Sequence, residues 1–99
     1  MSFINVESVI EKVKSQNKSP NERREAIKLL GQSGSELAVD ALVDLLPDYT
    51  LRLDIIHALG ILANPKSTKY LLATMFESDT KVKIEIVKAL RRIGDNKCV

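Results

Sequence analysis

The chain has a single cysteine, Cys98, so it can form no internal disulfide and cannot supply a thiolate metal site. It has no tryptophan and aromatics reach only 4%, so any core must be built from Leu, Ile, Val and Ala. Excess charge of one sign is missing as well. A net charge of +2 over 99 residues is too small to argue by itself for nucleic acid or an anionic membrane. No apolar run approaches the roughly 18 residues of a membrane span, and the opening Met1-Ser-Phe-Ile-Asn-Val-Glu7 lacks the basic start and apolar stretch of a signal peptide. These absences lead us to expect a reducing, cytoplasmic setting. The length allows one domain, residues 1–99, and no second core.

What is present is a repeat. Arg23-Arg-Glu-Ala-Ile-Lys-Leu-Leu-Gly31 aligns with Arg52-Leu-Asp-Ile-Ile-His-Ala-Leu-Gly60 and with Lys83-Ile-Glu-Ile-Val-Lys-Ala-Leu-Arg91, at spacings of 29 and then 31. Between them, Glu36 to Leu46 aligns with Lys66 to Phe76 at a spacing of 30, pairing Leu42 with Leu72, Leu45 with Met75 and Leu46 with Phe76. The apolar period is helical. Ala26, Leu29 and Leu30 recur as Ile55, Ala58, Leu59 and as Ile86, Ala89, Leu90, on one arc at about 100° per residue. Ala38, Ala41, Leu42, Leu45 and Leu46 make the buried arc of the second helix type.

The punctuation is in register too. Ser19, Asp48 and Asp79 each precede the basic residue of their repeat by four, where an N-cap belongs, and Ser19-Pro20-Asn21-Glu22 has capping-box spacing. Gly34, Gly94 and the Asn64-Pro65 turn are the expected helix stops. The pattern predicts six helices, at about 3–15, 20–33, 36–47, 50–63, 66–77 and 80–93, uncertain by ~2–4 residues at each end. They fold as three antiparallel hairpins, with an N-terminal helix followed by repeats at about 20–48, 49–79 and 80–95.

Leu51-Arg52-x-x-Ile55-x-x-Ala58-Leu59-Gly60 with Asn64-Pro65 resembles the HEAT-repeat superfamily, in particular its phycobilisome-lyase-type (PBS lyase HEAT-like) repeats. The resemblance covers roughly residues 20–95. It implies an all-α fold, an α-α superhelix in the form of a short HEAT-like solenoid. It says little about function, because such repeats serve scaffolds, lyases and regulators alike. The third repeat departs by carrying Arg91 where Gly is expected and by lacking its second helix.

Candidate sites compete with plain structural roles. The column Arg23, Arg52, Lys83 suggests phosphate binding, but each base has an acceptor four residues earlier, so an architectural ladder is the better reading. His57 aligns with Lys28 and Lys88, a solvated slot, and no catalytic residue, metal ligand or cofactor-binding motif is evident. Charge is distributed unevenly. Residues 36–48 hold Glu36, Asp40, Asp44 and Asp48 and no base, whereas residues 80–95 hold five bases against two acids, a net +3. The acids Glu36, Asp40 and Asp44 lie opposite the buried arc, and the next repeat is expected to place Lys66, Tyr70 and Thr74 in their slots. Glu36, Asp40, Val43, Asp44, Tyr70, Ala73 and Thr74 therefore form a candidate partner-binding surface. On the last helix, Ile84 widens the apolar arc to roughly 220°. Ile84, Val87 and Arg91 then mark a candidate stacking or self-association edge, where a homodimer is the simplest expectation.

The favoured reading is a non-catalytic protein–protein interaction or scaffold module with no cofactor, an unidentified protein partner and no membrane association. One rival is a helical-repeat protein that binds nucleic acid. It is disfavoured because only the last helix is strongly basic and stacking aromatics are few. The other is a subunit of a bilin lyase or isomerase, implied only by the resemblance.

Overall fold

A computed structural model describes residues 5–76 and 78–97. The expected helical start at residues 3 and 4, the last residue of the 66–77 helix and Cys98 lie outside the described residues. The helices are α1 (Val6–Lys14), α2 (Pro20–Ser33), α3 (Glu36–Leu45), α4 (Arg52–Leu62), α5 (Thr68–Met75, preceded by a 3-10 turn at Pro65–Ser67) and α6 (Thr80–Lys97). Among the described residues there is no strand. The fold is all-α.

Local chemistry sets most helix boundaries. Asn5 opens α1, its Oδ1 accepting from the Ser8 N–H at 3.1 Å. At α2 the full capping box forms: Ser19 Oγ accepts from Glu22 N at 3.2 Å, Glu22 Oε1 accepts from Ser19 N at 3.3 Å, and Pro20 fills the first turn. Gly34, left-handed at φ 68°, stops α2. Asp79 caps α6, accepting from Val82 N at 3.0 Å.

Three expected boundary roles are corrected. Asp48 does not cap α4; its Oδ1 accepts from Thr50 N at 3.0 Å, closing a turn that precedes the helix, and α4 begins with no side-chain cap. Asn64-Pro65 does not stop α4 either. Ala63 does so, at a left-handed φ of 50°, and Asn64 instead caps the following 3-10 turn through Lys66 N at 2.9 Å. Gly94 lies within α6, which continues to Lys97.

The helices pack in two layers, and the slab measures 32 × 31 × 16 Å. Two helix layers about 8–10 Å apart account for its thickness. In one layer α2, α4 and α6 lie side by side; α1, α3 and α5 make up the other, and each packs on the helix that follows it in sequence. Val13, Ile27, Leu30, Leu42, Leu51, Ile55, Ile56, Leu59, Leu71 and Ile86 are all buried between the layers. Each fully buried aliphatic side chain of this kind contributes about 1.5–3 kcal/mol.

Within the first layer the approach is close because the contact residues are small. A Cβ on Gly31 would lie 3.1 Å from the Ala58 Cβ, and one on Gly60 would lie 3.1 Å from both the Cα and the Cβ of Ala89. The glycine of each repeat therefore meets the alanine of the next. In the first repeat the alanine slot is Leu29, 40% exposed, and in the third the glycine slot is Arg91, also exposed. Neither residue has a small partner to receive it.

The second-helix register differs from the expected one. Leu71 is fully buried, whereas Leu72 is 46% and Phe76 91% exposed. Buried Ser67, Leu71 and Thr74 match Ala38, Leu42 and Leu45 at a spacing of 29, not 30. The caps are the physical reason: Ser35 opens α3 through Leu37 N and Asn64 opens the next second-layer helix through Lys66 N, positions that also stand 29 apart, so the two helices enter their layer in the same phase. Leu29 is a second departure, since it was expected on the buried arc.

Candidate functional site

Two members of the basic column, Arg23 and Arg52, are architectural. Arg23 Nε donates to the Val13 carbonyl at 2.7 Å and its Nη2 lies 3.4 Å from Asp48 Oδ2; Arg52 Nε donates to the Leu46 carbonyl at 2.8 Å. Each guanidinium satisfies a carbonyl at the C-terminal end of the preceding second-layer helix, where backbone acceptors lack helical partners. Arg52 is only 3% exposed and also sits 4.3 Å over the Tyr49 ring. Such a buried charge serves packing. Lys83, the third member, is exposed. His57 is exposed, as its slot implied.

Of the expected second-helix surface, Glu36, Asp40 and Asp44 are exposed on α3, and Val43 is half-buried. Tyr70, at 39%, and Ala73 are exposed on α5. Thr74 does not belong to this surface. It is 6% exposed, and its Oγ1 donates to the Tyr70 carbonyl at 2.8 Å. The register at 29 turns it inward, into the slot of Leu45, and brings Lys69 into the slot of Asp40.

The acidic stripe is also partly neutralised. Lys66 Nζ lies 2.9 Å from Asp40 Oδ1, and this hydrogen bond holds the lysine pKa above its ordinary value, with the negative charge of Asp40 and then Glu36 assisting. Lys69 sits 5.1 Å over the Tyr70 ring. The face is therefore mixed: three acids, two bases and Leu37, itself 53% exposed.

The stacking edge carries the stronger signal. Ile84 and Val87 are 51% and 56% exposed, and Arg91 is exposed on the same arc of α6. The corrected register adds Leu72 and Phe76 from α5, two residues read from sequence as core. Between the two helices runs a groove of about 470 Å³, lined by Pro65, Thr68, Leu72, Leu90, Ile93 and Gly94. The 29-residue spacing of Leu42 and Leu71 was the available sign that Leu72 faces outward.

This geometry defines a helical-repeat protein of the α-α superhelix kind. Residues 22–46, spanning α2 and α3, match the family model of the PBS lyase HEAT-like repeat, so the chain carries a repeat of that type. No curated protein matches the chain. None of the described helices is long and apolar enough to cross a membrane.

Proposed function

We propose that this is a non-catalytic protein-interaction module that binds its partner through the α5–α6 end of the stack. One observation carries the reading: Leu72, Phe76, Ile84 and Val87, four large apolar side chains, stand exposed on α5 and α6 at that end, with Leu72 in the wall of the groove. Covering apolar surface is worth roughly 25 cal/mol per Å², so four such side chains offer a substantial driving force to any partner shaped to them. The second-helix face of Glu36, Asp40, Val43, Asp44, Tyr70 and Ala73 is the lesser candidate, because its central acid, Asp40, is already paired with Lys66.

The test is quantitative affinity enrichment from the native lysate with wild-type, Val87→Glu and Asp40→Lys/Asp44→Lys proteins in parallel. A partner held by the wild type and by the double variant but lost from Val87→Glu supports the end surface. Loss only from the double variant moves the site to α3, and identical profiles for all three proteins refute both.

A further inference from the structure

Resting on the interaction reading above, we infer that the α5–α6 end face receives an acid-flanked amphipathic helix of a different protein, and neither a further repeat nor a second copy of this chain. Inside the stack, neighbouring first-layer helices approach through Gly31 on Ala58 and Gly60 on Ala89, where a single added Cβ would come within 3.1 Å of its neighbour. The slot that would receive the next repeat is Arg91. A guanidinium chain there holds any new helix away from the spacing the interior uses. Head-to-tail stacking of copies fails for the same reason at both surfaces, since it would set Leu29 of one copy on Arg91 of the other.

A two-fold pairing of the same face is opposed by charge. Lys69 on α5 and Lys83 and Arg91 on α6 frame the apolar side chains, all three exposed. The nearby described acids are Asp95 at the margin and Asp79, whose carboxylate already caps α6. A two-fold pairing would bring six such bases together with only four such acids, an excess of positive charge that opposes it.

A foreign helix avoids both obstacles. The groove is walled by Pro65, Thr68 and Leu72 on one side and by Leu90, Ile93 and Gly94 on the other, about two helical turns of lining that suit an apolar stripe at i, i+4 and i+7, and a Cβ on Gly94 would meet nothing within 4 Å, leaving one wall open. Such a helix would seat above Arg91 instead of crossing it. With Asp or Glu flanking its stripe, it would set acids against Lys69, Lys83 and Arg91.

The test uses the full chain and a displayed peptide library on one amphipathic helix, with leucines fixed along one face and flanking positions randomised among Glu, Gln and Lys. Glu should be enriched at the flanks. The isolated Glu-flanked peptide should bind at least about tenfold more tightly than its Gln-flanked form at low salt, and most of that advantage should vanish near 1 M salt. Val87→Glu and Ile84→Glu, both at exposed positions and each checked for unchanged helicity, should abolish retention. Enrichment of Lys, or no charge preference, overturns the acidic partner but leaves the interaction surface standing. A concentration-dependent dimer in sedimentation, lost in Val87→Glu, assigns the face to a second copy and likewise overturns only this inference. Adsorption to phosphatidylglycerol vesicles with no peptide retained would make the face a lipid contact, and failure to retain any peptide or vesicle would overturn both readings.

Discussion

Replacing Gly60 by alanine sets helix propensity against packing. Alanine is favoured over glycine by about 0.8–1.0 kcal/mol in a helix interior, so propensity alone predicts a gain. At Gly60, however, the new methyl would lie 3.1 Å from the Ala89 Cα, a backbone atom, and 3.1 Å from its Cβ. Moving a flexible side chain cannot relieve a clash with backbone; α4 and α6 must separate, and overpacking of that kind costs about 1–3 kcal/mol. The expected net is a loss of up to about 2 kcal/mol. Gly94 supplies the control, because a Cβ there meets nothing within 4 Å. Gly94→Ala should gain up to about 1 kcal/mol, somewhat less if the last turns of α6 fray. For a chain of this size, 1 kcal/mol moves Tm by roughly 4–8 °C. Thermal melts followed at 222 nm should therefore show the two variants shifting in opposite directions. Adding Ala89→Gly to Gly60→Ala should recover part of the loss, since it removes the crowding against the Ala89 methyl and leaves the crowding against the backbone of α6. Equal rises in Tm for Gly60→Ala and Gly94→Ala would refute the close approach of α4 and α6.

Core position should be equally legible. Leu59 is fully buried and Leu37 is 53% exposed, so Leu59→Ala should cost about 2–5 kcal/mol and Leu37→Ala well under 1 kcal/mol, measured as urea midpoints; equal shifts would contradict the packing. Ser67 is fully buried, its hydroxyl has no hydrogen-bond partner, and it fills the slot of Ala38. Ser67→Ala should therefore stabilise by about 1 kcal/mol, and a clear loss would show that the hydroxyl is satisfied. The capping box should respond to acid. The bond from the Ser19 backbone N–H, followed by that to its side chain, holds the Glu22 carboxyl below its ordinary range. Its contribution is fully present above the unfolded glutamate value of about 4.3 and is lost as pH falls through the lower folded value. Glu22→Gln should flatten that part of the stability profile, and carbon-13 titration of the wild-type carboxyl should give a midpoint below the unfolded value.

Much of the architecture follows from the one-dimensional pattern, because a helical period and a repeated cap are local properties. Ser19 with Glu22, Ala26 with Leu30, and Ile55 with Leu59 declare their helices and buried faces within a few turns of chain. The glycine and alanine columns were visible as letters too, Gly31 and Gly60 against Ala58 and Ala89. Their pairing across repeats was not, since it depends on how closely two helices lie. The rotation of α5 was carried by its cap: Asn64 stands 29 residues after Ser35, a register that exposes Leu72 and Phe76 and turns Thr74 inward. In the same register Lys66 fills the slot of Leu37 and reaches Asp40. Sequence periodicity by itself determined which segments are helices and the inward face of most of them, because that depends on residues within one helix. The width of the apolar arc on the last helix marked Ile84 and Val87 as uncovered, but only the tertiary structure added Leu72 and Phe76 to that end of the stack, because that depends on which neighbour each helix face meets.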